Sequence, residues 1–279
     1  PSYYVPHPSH WPITGSFALL LMGSGAAFWF NQYAAGPWMV AAGFAFLLFM
    51  MFGWFGAVIG ESEGRLYSKR VDVSFRWSMS WFIFSEVMFF AAFFGALFYV
   101  RNLSVPDLAA GSITGNTLWP NYAAQWPTAG PYGTTAFTPM GAIGIPLLNT
   151  IILLSSGVTL TIAHHALKVG NRGALTLWLF VTIALGFTFL GFQIYEYMHA
   201  YSALNLKLSS GVYGSTFFML TGFHGAHVTI GAIMLSVMLA RVLKGHFDAQ
   251  HHFAFEAAAW YWHFVDVVWL LLFVLVYWL

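Results

Sequence analysis

The chain has 279 residues, 59% of them apolar and only 7% charged, with a mean hydropathy of +0.71 and a formal net charge of +1. A soluble domain carries about 25% charged residues, so this is the composition of a polytopic membrane protein. The near-zero net charge offers nothing to nucleic acid. The absence of cysteine excludes disulfides, thiolate metal sites and cysteine nucleophiles.

Pro1 to Pro12 is polar and proline-broken, which predicts an extended arm carrying His7 and His10. With no Lys or Arg in it, no cleavable signal peptide is expected, and the lack of an initial Met points to processing or trimming. Seven apolar spans follow: Ile13–Tyr33, Trp38–Gly60, Ser74–Val100, Pro146–Lys168, Ala174–Tyr201, Val212–Leu243 and Phe253–Leu279. Gly36-Pro37 makes a tight turn between the first two, so residues 13–60 form a hairpin. Residues 61–73 are a charged link, and residues 74–279 hold the remaining five spans. The long connection 102–145 is rich in Gly, Pro, Thr and Asn, and is expected to be a packed surface loop rather than a second domain.

Basic residues set the orientation. With the N-terminus inside, the inner segments hold Arg65, Lys69, Arg70, Arg76, Lys168, Arg172, Arg241 and Lys244; the outer ones hold Arg101 and Lys207. The N-terminus is therefore expected inside and the C-terminus outside.

Polar groups within the spans are the functional candidates. Glu86 is the only acidic or basic residue between Arg76 and Arg101. At ~1.5 Å per residue from Ser74 it sits roughly 18 Å in, near the middle of a hydrocarbon core ~30 Å thick. A charge there costs at least a few kcal/mol, so Glu86 should be neutral, paired, or turned to protein or water. It is either a protonated acid bonded to a neighbouring helix or a group that handles protons or lipid. His224 and His227 share one face of the sixth span and could bind a metal or haem, or hydrogen-bond across helix interfaces. His263 and Asp266 have the same spacing in the seventh and could form a buried pair. The tandem pairs His164-His165 and His251-His252 invite a copper site, but adjacent helical residues point about 100° apart, so they are expected to face headgroups. Gln193, Glu196 and His199 approach the outer interface. On the inner rim, Glu61, Arg76, Arg241, Lys244 and His246 resemble an anionic-headgroup site or ordinary positive-inside decoration. No P-loop or H-E-x-x-H motif occurs, and the seventh span has no Lys for a retinal Schiff base.

Several runs carry a specific resemblance: Phe84–Phe90 (FSEVMFF), Pro146–Thr150 (PLLNT), Ala163–Leu167 (AHHAL), Gly211–Phe218 (GVYGSTFF), Gly222–His227 (GFHGAH), His251–Glu256 (HHFAFE) and Ala259–Leu270 (AWYWHFVDVVWL). Together they resemble subunit III of cytochrome c oxidase, of the haem–copper oxidases. Trp11-Pro12-Ile13 matches the family's entry to the first span, with weaker identity around it. The resemblance implies an all-α protein of seven transmembrane helices, as two-helix and five-helix bundles separated by a V-shaped cleft holding phospholipids. It implies no catalytic residue and no metal on this chain; haem and copper belong to partner subunits. The implied partners are subunit I directly, subunit II and small subunits, in service of proton uptake and of resistance to inactivation during turnover.

By the same resemblance Glu86 matches the family's carbodiimide-reactive carboxyl. Trp54, Glu61, Arg76, Arg241, Lys244 and His246 match its lipid contacts or the basic rim beside them. His7 and His10 are candidate proton buffers near subunit I. Two departures point to a bacterial plasma membrane. Where the family often has Arg-Glu-Ser and then His-His-Thr-Pro, this chain has Ile59-Gly-Glu-Ser62 and Glu63-Gly-Arg-Leu-Tyr-Ser-Lys-Arg70; and loop 102–145, which retains Trp126-Pro127, is longer than in mitochondrial members. The alternatives are a subunit of a related quinol oxidase, or an autonomous membrane enzyme or transporter using its intramembrane His and Glu.

Overall fold

The computed structural model describes residues 3–133 and 136–278. Pro1 and Ser2 of the arm, Thr134 and Thr135 of the long connection, and Leu279 at the end of the last span lie outside the described residues. Seven helices are long and apolar enough to cross a membrane, and among the described residues there is no strand. They are α1 (Trp11–Phe30), α2 (Gly36–Glu63), α3 (Lys69–Tyr99), α4 (Ile145–Lys168), α5 (Arg172–Ser202), α6 (Gly211–Leu243) and α7 (Phe253–Leu272).

Local chemistry sets their starts. Proline occupies the first turn of α1, α2 and α4, where its fixed φ suits the helix and its missing N–H costs nothing. Asn171 caps α5 by accepting from the Ala174 amide at 3.1 Å. Several ends differ from the hydropathy spans, and α3 begins at Lys69 rather than Ser74, so residues 69–73 belong to a helix and not to the link. α2 runs on past Gly60 to Glu63 before Gly64, because the polar residues there contain no helix breaker; Glu61 therefore stands on its last turn, not in a link. α3 continues as a π-turn, Val100–Ser104, and a short helix, Val105–Asp107.

The chain divides into two compact units, Pro1–Trp77 and Ser78–Leu279. In the first, α1 packs along α2. The approach is close enough that a Cβ on Gly25 would meet the Val40 amide at 2.7 Å, and one on Gly43 would meet the Ala18 carbonyl at 2.8 Å. Glycine at these sites lets the two backbones touch.

In the second unit α4 packs on α5, α5 on α6, α6 on α7, and α7 back on α4. This ring encloses Leu153, Leu160, Leu179, Phe189, Phe217, Trp262 and Trp269, all essentially inaccessible. The buried indoles find partners for their polar ends: Trp262 Nε1 donates to Ser156 Oγ and Trp269 Nε1 to Thr150 Oγ1, each at 2.9 Å. The second half of α3 joins the ring through long side chains, Phe89 against Phe223 and Phe90 against Phe264.

The long connection is tied to this unit. Its short helix Ile113–Leu118 is capped by Ser112. The carbonyls of Thr128 and Ala129 accept from the amides of Tyr213 and Val212. Thr138 N donates to Leu204 O at 2.9 Å.

Candidate functional site

Glu86 lies on α3 and His227 on α6, and the carboxylate Oε2 and imidazole Nε2 stand 2.7 Å apart. The side chains are 22% and 12% exposed, respectively, within a wall of Phe89, Phe90, Tyr261 and Phe264. The other ring nitrogen decides the chemistry. His227 Nδ1 is 2.6 Å from the Phe223 carbonyl, which can only accept, so Nδ1 carries a proton. One further proton is then shared between Nε2 and Oε2. The pair is either carboxylic acid and neutral imidazole, or carboxylate and imidazolium; both are neutral overall. The apolar surroundings favour the form without separated charge.

His224, one turn earlier, is buried and does not join that pair. Its Nε2 lies 3.2 Å from the Val265 carbonyl on α7, and its ring packs on Phe189 and Trp269. The two histidines thus turn to different neighbours. Among the described residues no group of three or more His, Cys, Asp or Glu could hold a metal ion.

His263 Nδ1 and Asp266 Oδ2 are 3.4 Å apart on α7, a long contact, and His263 Nε2 is 3.5 Å from Thr161 Oγ1 of α4. A Cβ on Gly157 would strike Asp266 Oδ2, so α4 makes room for this carboxyl with a glycine.

The rim residues divide between the two units. In the first, Glu61 accepts from the Tyr67 hydroxyl at 2.6 Å, and the Tyr4 ring lies 5.7 Å from that of Tyr67. Burial and the adjacent carboxylate push the Tyr67 hydroxyl far up from its ordinary value, so it stays a donor. These side chains line a cavity of about 320 Å³ with Trp54, His7, Trp11 and Phe75. Arg76 pairs with Asp72 one turn earlier, Nε to Oδ2 2.8 Å. His10 is exposed with its ring against Trp11. In the second unit the Arg241 guanidinium lies 4.4 Å over the Phe247 ring. Lys244 and His246 follow at the end of α6, with Lys244 exposed.

Two clusters escaped the sequence reading. The His164 ring turns toward the segment that opens α7, meeting His252 at 5.5 Å and Phe255 at 5.7 Å. One histidine of each tandem pair turns inward toward the other, a consequence of α4–α7 register that spacing within one helix cannot reveal. At the other end of the bundle, Glu196 is 1% exposed and accepts from the Tyr277 hydroxyl at 2.6 Å. Tyr277 lies 81 residues away in sequence, and its place in the terminal aromatic pair gave no hint of an acid partner.

The sequence profile of the family described as cytochrome c oxidase subunit III matches residues 1–279. Proteins named cytochrome c oxidase subunit 3 from Dugong dugon and Felis catus are each 43% identical over 279 residues. The corresponding protein of Carassius auratus is 42% identical over the same length. In all three cases the match spans 99% of this chain and 97% of the relative.

Proposed function

Because the chain belongs to the cytochrome c oxidase subunit III family, we propose that it is the non-catalytic, lipid-binding subunit of a proton-pumping respiratory oxidase. It would hold subunit I, beside subunit II and small subunits, and sustain proton uptake while cytochrome c passes electrons to dioxygen. One observation carries this reading: the intramembrane histidines are committed to neighbours within the chain. His227 is taken by Glu86, His224 by the Val265 carbonyl and His263 by Asp266. That arrangement suits a protein that stabilises polar groups, with haem and copper held by partner subunits.

Phospholipid binding rests on two sets of residues, each described within its own unit above. The cavity around Glu61 offers Trp54 and a tyrosine-bonded carboxylate for a headgroup cation. Arg76, Arg241, Lys244 and His246 offer positive charge for a phosphate. The basic-residue count supports an N-terminus inside and a C-terminus outside. The link that carries Tyr67 and the long connection support a bacterial plasma membrane. His7 and His10 on the arm would buffer protons there; replacing both by Gln should slow proton uptake during turnover above neutral pH, and unchanged rates would remove that role.

The test of the main reading is purification of a tagged chain in mild detergent, with an absorption spectrum and a native mass. Co-purification with a haem-bearing partner, all colour leaving when this chain is separated, is the expected result. Haem retained on the isolated chain would overturn it, as would a colourless chain that runs alone.

A further inference from the structure

The second unit contains a line of polar groups that neither metal binding nor lipid contact uses. At the end of the bundle carrying Lys168, Asp248 holds His251 through an Nδ1–Oδ1 contact of 3.1 Å. His252 is next in the chain, and its ring lies 5.5 Å from that of His164 on α4. His164 Nε2 is buried and meets no partner among the described residues. One turn further along α4, Thr161 Oγ1 reaches His263 Nε2 at 3.5 Å, and His263 Nδ1 reaches Asp266 Oδ2 at 3.4 Å. Asp266 is 9% exposed, and its Oδ1 is likewise buried without a partner among the described residues. The steps run from the turn before α7 to α4, along one turn of α4, and across to α7. The line ends at Asp266, within α7.

The hydrogen-bond roles along it are fixed at one point and open at the next, which is what proton exchange needs. The Thr161 hydroxyl also lies 2.9 Å from the Gly157 carbonyl, to which it donates. Its oxygen is then left to accept from His263 Nε2–H. In a neutral His263 the Nδ1 is bare, so the proton between it and Asp266 belongs to the carboxyl. Exchange runs in two moves: the carboxyl proton passes to Nδ1 as the Nε2 proton passes to the Thr161 oxygen, whose own hydroxyl proton leaves Gly157 O and moves on toward His164; a solvent proton then returns by the reverse transfers and restores the carboxyl. The count of protons and charges is unchanged after each exchange. The gap between His164 and Thr161 is one i, i+3 step, about 5–6 Å between Cβ atoms, a length one water molecule bridges.

We propose that His252, His164, Thr161 and His263 form a proton-exchange file leading from the Lys168 end of the bundle to the buried Asp266 carboxyl. This goes beyond a structural and lipid-binding role, because it makes the chain hold a proton in exchange with one aqueous side. Glu86–His227 is a separate pair, on α3 and α6, and is not part of the file.

The test uses the intact oxidase complex in detergent. Infrared difference spectra identify the protonated-carboxyl band of Asp266 by its loss in Asp266→Asn; if that variant does not assemble, Asp266→Glu marks the band by shifting it. After transfer to D2O the band should move within minutes. Thr161→Val keeps the side-chain shape and removes the hydroxyl, and should slow that exchange by about tenfold or more, equal to ~1.36 kcal/mol on the barrier. Thr159→Val, whose hydroxyl pairs with Thr182 instead, should leave the exchange rate unchanged. Equal exchange in Thr161→Val and the unaltered complex would overturn the file. So would the absence of any band that responds to Asp266.

Discussion

The Glu86–His227 contact makes a quantitative prediction through the choice of replacement. Glu86→Gln keeps the shape and supplies an amide N–H that can donate to His227 Nε2. If the native pair is acid and neutral imidazole, the exchange preserves one hydrogen bond of ordinary strength. Interhelical hydrogen bonds in membranes average about 0.6 kcal/mol and reach about 1.7, so the loss should stay near 1 kcal/mol. If the native pair were carboxylate and imidazolium, the same change would strand a cation 12% exposed among Phe89, Phe90 and Phe264. Breaking a buried ion pair in that way costs about 3–5 kcal/mol. The two cases differ by at least ~2 kcal/mol, or roughly 30-fold in an unfolding equilibrium.

The assay is unfolding of the purified complex in mixed detergent micelles, followed by release of this chain, for Glu86→Gln and Glu86→Leu. Leu removes the donor and leaves Nε2 unsatisfied, an expected cost of about 1–3 kcal/mol. The predicted order of stability is unaltered chain, then Gln, then Leu. A Gln variant as unstable as the Leu variant, or one that fails to assemble, would refute the neutral pair and make the charge itself structural.

Three further outcomes follow from single contacts. Thr150→Val removes the acceptor of the buried Trp269 indole and should lower stability by about 1–2 kcal/mol, whereas Trp269→Phe, which leaves the Thr150 hydroxyl its donation to the Pro146 carbonyl, should cost less than Trp269→Ala; thermal release of the chain checks both. Gly157→Ala places a methyl on Asp266 Oδ2 and should cost about 1–3 kcal/mol by overpacking, measured in the same way. In the turn before α7, burial pushes the Asp248 carboxyl up but the amides of His251 and Gln250 and the His251 ring outweigh it, leaving it below its ordinary 3.8. A depressed carboxyl stabilises the fold above its unfolded value and loses that effect as pH falls through the folded value. Protection of the Gln250 and His251 amides from hydrogen exchange, relative to the free-peptide rate at each pH, should therefore hold down to about pH 4 and fall below it, and Asp248→Asn should abolish the pH step.

What the sequence made legible and what it hid have separate physical origins. A helix long enough to span a bilayer declares itself through composition, because most of its residues must be apolar for the same reason. The spans were therefore readable to within a few residues. They erred where the apolar run stops but the backbone has no cause to: Ser62 and Glu63 end no helix, and Gly64 does. The pairing of polar groups follows a different rule. Whether His227 meets Glu86 depends on the depth and rotation of α6 against α3, quantities that a helix's own pattern leaves free. Spacing grouped His224 with His227 because they share a face, yet a three-residue step rotates the ring enough for one to reach α3 and the other α7.

The same logic explains why the two acid–imidazole pairs differ in strength. Glu86 and His227 come from different helices, so packing is free to set their separation, and it settles at 2.7 Å. His263 and Asp266 share one helix turn, whose geometry holds the nitrogen and oxygen at 3.4 Å unless the backbone deforms. A short contact localises its proton between two atoms and resists exchange; a long one leaves the imidazole free to bond on its other side, as His263 does with Thr161. The half-exposed ring of His263, 44% accessible against 12% for His227, follows from the same constraint. The weaker pair is thereby the one suited to pass a proton on, and the stronger pair the one suited to keep it.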